Sequence, residues 1–266
     1  MKKAVITTAV FALITFICSA QTVLDTAYIK CYYTYRYMRD TANISNMRSD
    51  EMTLLIGKKV SKFYCYSAFQ IDSLMISISE GNGDMSDFSA RRSNYKGGEY
   101  FKVYRNYPEN KITFTDKIMT TVYLYEEAIP IQEWKIHNDT ATVSGYKCRK
   151  ATCKFRGRDY EAWFTVEIPI NSGPYKFGGL PGLIVKISDT KLNHVFELTG
   201  TETVKEPVLF ETRDYLETNR KDYTSVYRKY KHNFINFLKE NMGVISYSSD
   251  SPLPVWNNDV IERDVK

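Results

Sequence analysis

The twelve residues Gly173-Pro174-Tyr175-Lys176-Phe177-Gly178-Gly179-Leu180-Pro181-Gly182-Leu183-Ile184 hold four glycines and two prolines and separate two strand patterns. Leu180-Pro181-Gly182-Leu183 reads as a type II turn: proline presets φ at the second position, and glycine accepts the positive φ of the third. Asn171-Ser172-Gly173-Pro174 reads as another turn, and Gly178-Gly179 has no side chain to hold neighbouring backbone away. Gly173, Pro174, Gly178, Gly179, Pro181 and Gly182 thus form a structural frame. Tyr175, Lys176, Phe177, Leu180 and Leu183 are the side chains such a loop offers a ligand, with Trp163 on the preceding strand. The same arrangement also serves as a corner packed back on the sheet, the commoner fate of aromatic side chains. Phosphate binding is excluded, since neither GxxxxGK[ST] nor GxGxxG occurs there.

Working outward, Tyr160, Ala162, Phe164, Val166 and Ile168 alternate with Glu161, Trp163, Thr165 and Glu167 as a half-buried strand. Arg156-Gly157 turns it back on Cys153-Lys154-Phe155 as a hairpin. The pattern from 100 to 204 is almost wholly β, with further strands at 100–104, 111–114, 121–125, 132–136, 144–155, 183–187 and 195–199. Upstream, 27–38 alternates: Ile29, Cys31, Tyr33, Tyr35 and Tyr37 share one face, and Tyr28, Lys30, Tyr32, Thr34 and Arg36 the other. Short strands follow at 52–56 and 60–66. Residues 68–79 fit a helix through Phe69, Leu74, Met75 and Ile78, although Ile76-Ser77-Ile78 suits a strand. Residues 81–98, rich in Gly, Ser, Asn and Asp, read as a long mobile loop.

Beyond the sheet the period changes. Tyr223, Tyr227, Tyr230, Phe234, Phe237 and Leu238 recur at helical spacing over 213–242, with Gly243 placed as a C-cap residue. One long amphipathic helix is expected to lay this stripe on the sheet, its lysines and arginines forming a solvated face. The expected fold class is therefore α+β: a predominantly antiparallel, strongly curved sheet with a long C-terminal helix. One domain should cover 21–247, and 248–266 should be a poorly ordered tail.

Residues 1–20 read as a signal peptide. Lys2 and Lys3 precede an apolar run, and Ser19-Ala20 places cleavage before Gln21. The expected location is the periplasm or the outer membrane's periphery. No later apolar run is long enough to span a bilayer. The formal charge of +5, of which Lys2 and Lys3 supply two, is too small and scattered to suggest nucleic acid. Cys31, Cys65, Cys148 and Cys153 remain after cleavage. Cys148 and Cys153 fall on opposite faces of one strand and should not pair; Cys31 and Cys65 could pair or stay as buried thiols.

The usual catalytic patterns are missing. There is no HExxH, Cys-x-x-Cys or GxSxG, so no metal site or cofactor is expected. His137, His194 and His232 are far apart in sequence. Glu161 and Glu167 flank Trp163 on one face, but six residues of strand span about 20 Å, against roughly 5–9.5 Å for paired catalytic carboxylates.

The run Ala162-Trp163-Phe164-Thr165-Val166-Glu167-Ile168-Pro169 leading into 173–184, with Gly145-Tyr146-Lys147-Cys148 and Gly157-Arg158, resembles the GLPGLI family of exported Bacteroidota proteins. That family brings no settled activity. Its strand-rich layout is similar, more loosely, to the curved-sheet carriers of periplasmic lipoproteins. The expectation is a non-catalytic envelope module that binds an apolar ligand or an envelope protein partner, with the 173–184 loop at the rim of the site. The alternative is a periplasmic hydrolase of peptide or glycan with dispersed catalytic residues. The resemblance also implies O-glycan acceptors at Asp-Thr/Ser-aliphatic tripeptides, namely Thr26, Thr41 and Thr140, with Ser73 as a fourth.

Overall fold

The computed structural model describes residues 21–41, 46–232, 234–242 and 259–264, so the segment expected to be a signal peptide and the expected C-cap residue Gly243 lie outside the described residues. The chain runs through β1 (Gln21–Met38), β2 (Met47–Gly57), β3 (Ser61–Cys65), α1 (Tyr66–Ser79), α2 (Met85–Arg92), β4 (Lys102–Arg105), β5 (Lys111–Ile118) and β6 (Thr121–Ala128). β7 (Lys135–Val143), β8 (Tyr146–Phe155), β9 (Arg158–Thr165), β10 (Leu183–Asp189), β11 (His194–Glu211), β12 (Leu216–Glu217), α3 (Arg220–His232) and α4 (Phe234–Met242) follow. The strands form one sheet in the order β12-β6-β5-β4-β3-β2-β1-β11-β10-β9-β8-β7.

Two features correct the expected fold class. The sheet is mixed, because β12 lies parallel to β6 while the other pairs are antiparallel. Nor do the described residues show one long C-terminal helix. Its expected span divides into β12, α3 and α4. Asn219 Oδ1 accepts the amide of Asp222 at 3.0 Å, an N-cap that starts the helix at Arg220 and leaves Leu216 and Glu217 extended. The expected mobile loop at 81–98 is corrected too, since it contains α2. Asp84 Oδ1 accepts the amides of Ser86 and Asp87, which nucleates that helix in a stretch of low helical propensity.

The sheet rolls on itself. β6 and β9 are eight places apart in the order, which would be about 38 Å in a flat sheet. Yet Arg156, in the turn before β9, donates to Glu127 of β6 at 2.5 Å. The roll encloses the main core, where Tyr33, Phe63, Phe101, Phe114, Phe164 and Phe196 meet. A smaller cluster of Ala27, Leu55, Val60, Tyr64 and Val208 forms the opposite face under Phe69 of α1.

The 173–184 segment is the plug of that roll. Tyr175, Lys176, Phe177, Leu180 and Leu183 are all buried. Phe177 packs edge-on against Phe155 of β8 and Tyr160 of β9, and Tyr175 edge-on against Phe101 and against Phe114 of β5. The turn chemistry differs from expectation. Gly182 does not have positive φ; its amide donates to Leu180 O at 2.8 Å, a γ-turn around Pro181. Glycine is needed there for space, because a Cβ would sit 2.0 Å from Thr165 O. The other turn lies at Pro174–Phe177, closed by Phe177 N to Pro174 O, with Tyr175 at φ 55°.

Candidate functional site

A cavity of about 620 Å³ opens between the ends of β1 and β2, the 96–101 segment, α3 and the start of α4, and the 259–262 segment. Tyr35, Phe101, Phe114, Tyr125, Tyr175 and Tyr223 form its aromatic floor, all buried. Tyr37, Tyr227, Tyr230 and Phe234 also line it and are half-buried. Exposed Arg39, Arg48 and Lys96 lie among the lining groups.

Two carboxyl groups converge on this wall. Asp50 Oδ2 accepts the Glu99 amide at 2.8 Å, and the nearby Tyr37 hydroxyl favours the ionised form of both side chains. Glu99 also accepts from Tyr227 at 2.9 Å and Lys231 at 2.7 Å. Burial alone would raise the Glu99 pKa, but Lys231 and the tyrosines hold it below the ordinary glutamate value. Asp50 goes the other way: burial pushes it up to about 6, against partial relief from the Glu99 amide. The wall therefore carries one firmly ionised carboxylate and one that takes a proton near pH 6. Beneath it, buried Asp116 accepts from Tyr223 at 2.5 Å, and burial pushes its pKa up to about 7.

The opposite wall is electrostatically locked. Arg158, fully enclosed, donates to Asp189 at 3.0 Å, approaches Asp259 at 2.5 Å and donates to His194 Nε2 at 3.1 Å. A guanidinium only donates, so Nε2 accepts and Nδ1 carries the ring proton toward the Tyr35 hydroxyl at 2.8 Å. Burial and the Arg158 charge push His194 down to about 3, so it stays neutral and is no base at working pH. Glu262 accepts from Tyr175 at 2.7 Å, Lys176 at 2.6 Å and Arg220 at 2.7 Å. Burial would raise the Glu262 pKa, but Lys176, the Tyr175 hydroxyl and the Arg156 charge bring it down to about 2. Residues 259–264, within the segment expected as a poorly ordered tail, are thus pinned to the sheet and form part of the cavity wall.

The sequence-predicted site residues divide sharply. Tyr175 lines the cavity; Lys176, Phe177, Leu180 and Leu183 do not. Lys176 is enclosed with its ammonium 2.7 Å from Tyr125 Oη and 2.6 Å from Glu127. Trp163 lies half-buried on β9, donating to Glu161 under the Lys150 ammonium. The loop thus forms floor and core, where a rim was expected. Gly173, Gly178 and Gly182 are buried in its frame with Pro174, while Gly179 and Pro181 are exposed. Thr26, Thr41 and Thr140 are exposed and Ser73 is half-buried; Asp25 and Asp72 are already engaged, by the Lys59 and Val60 amides and by Arg213 and Lys117 respectively. Cys31, Cys65, Cys148 and Cys153 are free and buried. Among the described residues no group of three or more His, Cys, Asp or Glu could hold a metal, and no helix is long and apolar enough to cross a membrane.

Asp50 and Glu99 were missed, though both leave a trace. Asp50 shares strand parity with inward-facing Met52, Leu54 and Ile56, and Glu99 with Phe101 and Val103. A carboxylate at the inward parity of an apolar strand end is the signal. Lys231 follows Tyr223 and Tyr227 at four-residue steps, the same anomaly on a helix.

A family described as a protein of unknown function (Porph_ging) matches residues 156–186, from the β8–β9 turn through the plug into β10. It is a family associated with Bacteroidota. No curated protein matches the chain. Similar solved structures include PNGF-II in two crystal forms. The P21 form has 14% identity and a TM-score of 0.49, the C2 form 15% and 0.48; each likeness covers 76% of this chain. The match covers 32% of each PNGF-II chain, so this protein spans about a third of their length. At these values the likeness carries no argument about activity.

Proposed function

We propose that the protein is an exported, non-catalytic envelope module that takes a small ligand into the cavity beside α3. The observation that carries this reading is the convergence of Asp50, Glu99, Tyr37, Tyr227 and Lys231 above an aromatic floor, in a volume within the range of small-molecule sites. The ligand has an apolar body for the rings and a polar group for the carboxyl wall. The test is native mass spectrometry of protein purified from its own envelope. The expected spectrum shows a bound small molecule that is lost in Tyr230→Ala/Phe234→Ala; an apo mass alone refutes the reading.

A second reading, a hydrolase of peptide or glycan, is favoured by one observation. Asp50 is protonated near pH 6 while neighbouring Glu99 is ionised, the split that acid–base pairs use. Turnover of a peptide or glycan library that Asp50→Asn abolishes would select it over the binding reading.

The GGLPGLI run inside the matched segment supports membership of the GLPGLI group. The charged and apolar N-terminal pattern supports cleavage before Gln21, which N-terminal sequencing checks. Exposure supports Thr26, Thr41 and Thr140 as glycan acceptors ahead of Ser73. An intact mass equal to residues 21–266 removes the modification proposal.

A further inference from the structure

We propose that the cavity is built for a zwitterion with an apolar body, its ammonium held by Asp50 and its anionic group by Arg48 and Lys96. This rests on the cavity being a ligand site. The chain's own ammonium shows what the wall accepts. Lys231 Nζ lies 2.7 Å from Glu99, 5.1 Å from the Tyr227 ring centroid and 6.0 Å from that of Tyr230. A carboxylate backed by tyrosine faces is a cation cage.

Asp50 adjoins this cage through the Glu99 amide and the shared Tyr37 hydroxyl, and no ion pair reaches it among the described residues. Asp50 and Glu99 therefore both face the Lys231 ammonium, which is hydrogen-bonded to Glu99, in a site largely withdrawn from water. Uncompensated charge is unstable there, and burial raising Asp50 toward its protonated form is the consequence. A second ammonium, brought by the ligand, would let Asp50 ionise and take up the vacant charge.

The mouth carries the complementary sign. Arg48 precedes Asp50 by two residues on β2, so their side chains leave the same face about 7 Å apart. Arg48 and Lys96 are exposed lining groups, and neither forms an ion pair among the described residues. A pure cation satisfies Asp50 but meets these two charges, and a pure anion satisfies them but meets Asp50 and Glu99. Opposite charges a few ångströms apart on one molecule satisfy both. An α-amino acid with an apolar side chain has this chemistry, its side chain lying on Tyr230 and Phe234.

The test is calorimetric titration of residues 21–266 with L-phenylalanine, 2-phenylethylamine, 3-phenylpropionate and 2-phenylethanol, which share a ring and differ in charge. L-Phenylalanine should bind at least about tenfold tighter than the acid or the alcohol. Asp50→Asn, which keeps an oxygen for the Glu99 amide, should remove that advantage and leave the alcohol unchanged. Arg48→Ala/Lys96→Ala should weaken L-phenylalanine but not the amine; if Asp50→Asn fails to fold, this variant carries the test. Equal binding of the amine, the alcohol or the acid, or unchanged L-phenylalanine affinity in a folded Asp50→Asn protein or in the double variant, overturns the zwitterion while leaving the cavity site standing. No heat from any of the four at about 10 mM removes both.

Discussion

Gly182→Ala should destabilise the protein far beyond an ordinary glycine-to-alanine change, and the reason is steric. An added Cβ would lie 2.0 Å from Thr165 O, 2.7 Å from Thr165 C and 3.2 Å from Val166 Cα. These are backbone atoms at the end of β9, and Thr165 pairs with Leu183 directly after the glycine. No side-chain rotation can relieve the clash. The start of β10 must move by more than an ångström or so, and it carries the enclosed Leu183, Ile184 and Val185 with it. Overpacking of this kind costs about 1–3 kcal/mol and sometimes more, and the backbone partners put this case at about 3. Gly178→Ala is the control, because its nearest neighbours are the guanidinium atoms of Arg105 at 3.2 Å, the far end of a flexible side chain. Urea denaturation followed by circular dichroism reads both as midpoint shifts at constant slope. In a chain of this size about 3 kcal/mol lowers Tm by roughly 6–12 °C. A Gly182→Ala protein as stable as Gly178→Ala would show that close approach is not what the glycine serves.

Stability should also fall as pH rises from about 4 to 7. Asp116 and Asp50 have folded pKa values raised by burial to about 7 and about 6, so the folded state holds protons the unfolded chain has lost. Their stabilisation is fully present below the unfolded value and lost through the folded one; for Asp116 it is on the order of 4 kcal/mol. Asp116→Asn should flatten that part of the pH–Tm curve, and an unchanged slope counts against the assignment. Glu262, lowered to about 2, acts in the opposite sense, its contribution vanishing as pH drops from about 4.5 toward 2. Lys176→Met should cost about 3–5 kcal/mol in urea denaturation, since it leaves Glu127 and Glu262 facing each other without their ammonium. A loss below about 1 kcal/mol would mean that the pair protonates or hydrates freely. Cys31, Cys65, Cys148 and Cys153, whose thiols burial pushes up to about 11–12, should ignore a thiol reagent in the folded protein and react after unfolding. Fast reaction in the native state contradicts their burial.

Local patterns in the chain carried the strands well where one face is apolar. The alternation of β1 is visible in Cys31, Tyr33 and Tyr35, and Arg156-Gly157 makes the two-residue turn with both φ positive. β7 was mostly missed because its residues are largely exposed and its pairing to β8 depends on the Ser144-Gly145 turn. The aromatic stripe after 213 showed a helical period but not that Leu216 and Glu217 ahead of it are extended, since a stripe records the buried face and not where the backbone departs from it. The plug was recognisable as special, yet its role depended on a roll that brings β6 to β9, a contact between residues far apart in sequence. Lys176 illustrates the difficulty: among Tyr175 and Phe177 it reads as an exposed loop lysine, and only Glu127 and Glu262 explain its burial. The carboxyl wall was obscured similarly, because Asp50 and Glu99 are ordinary loop-edge acids until α3 places Tyr227 and Lys231 over them.

The proposed site is the cavity beside α3, with the 173–184 loop as its support. The most direct measurement is a crystal structure of the protein purified from the cells that make it. Ordered ligand density is expected between Asp50, Glu99, Tyr230 and Phe234, with Lys176 still closed on Glu127 and Glu262. A ligand seated against Trp163 or an opened 173–184 loop, with the cavity holding only water, would contradict it.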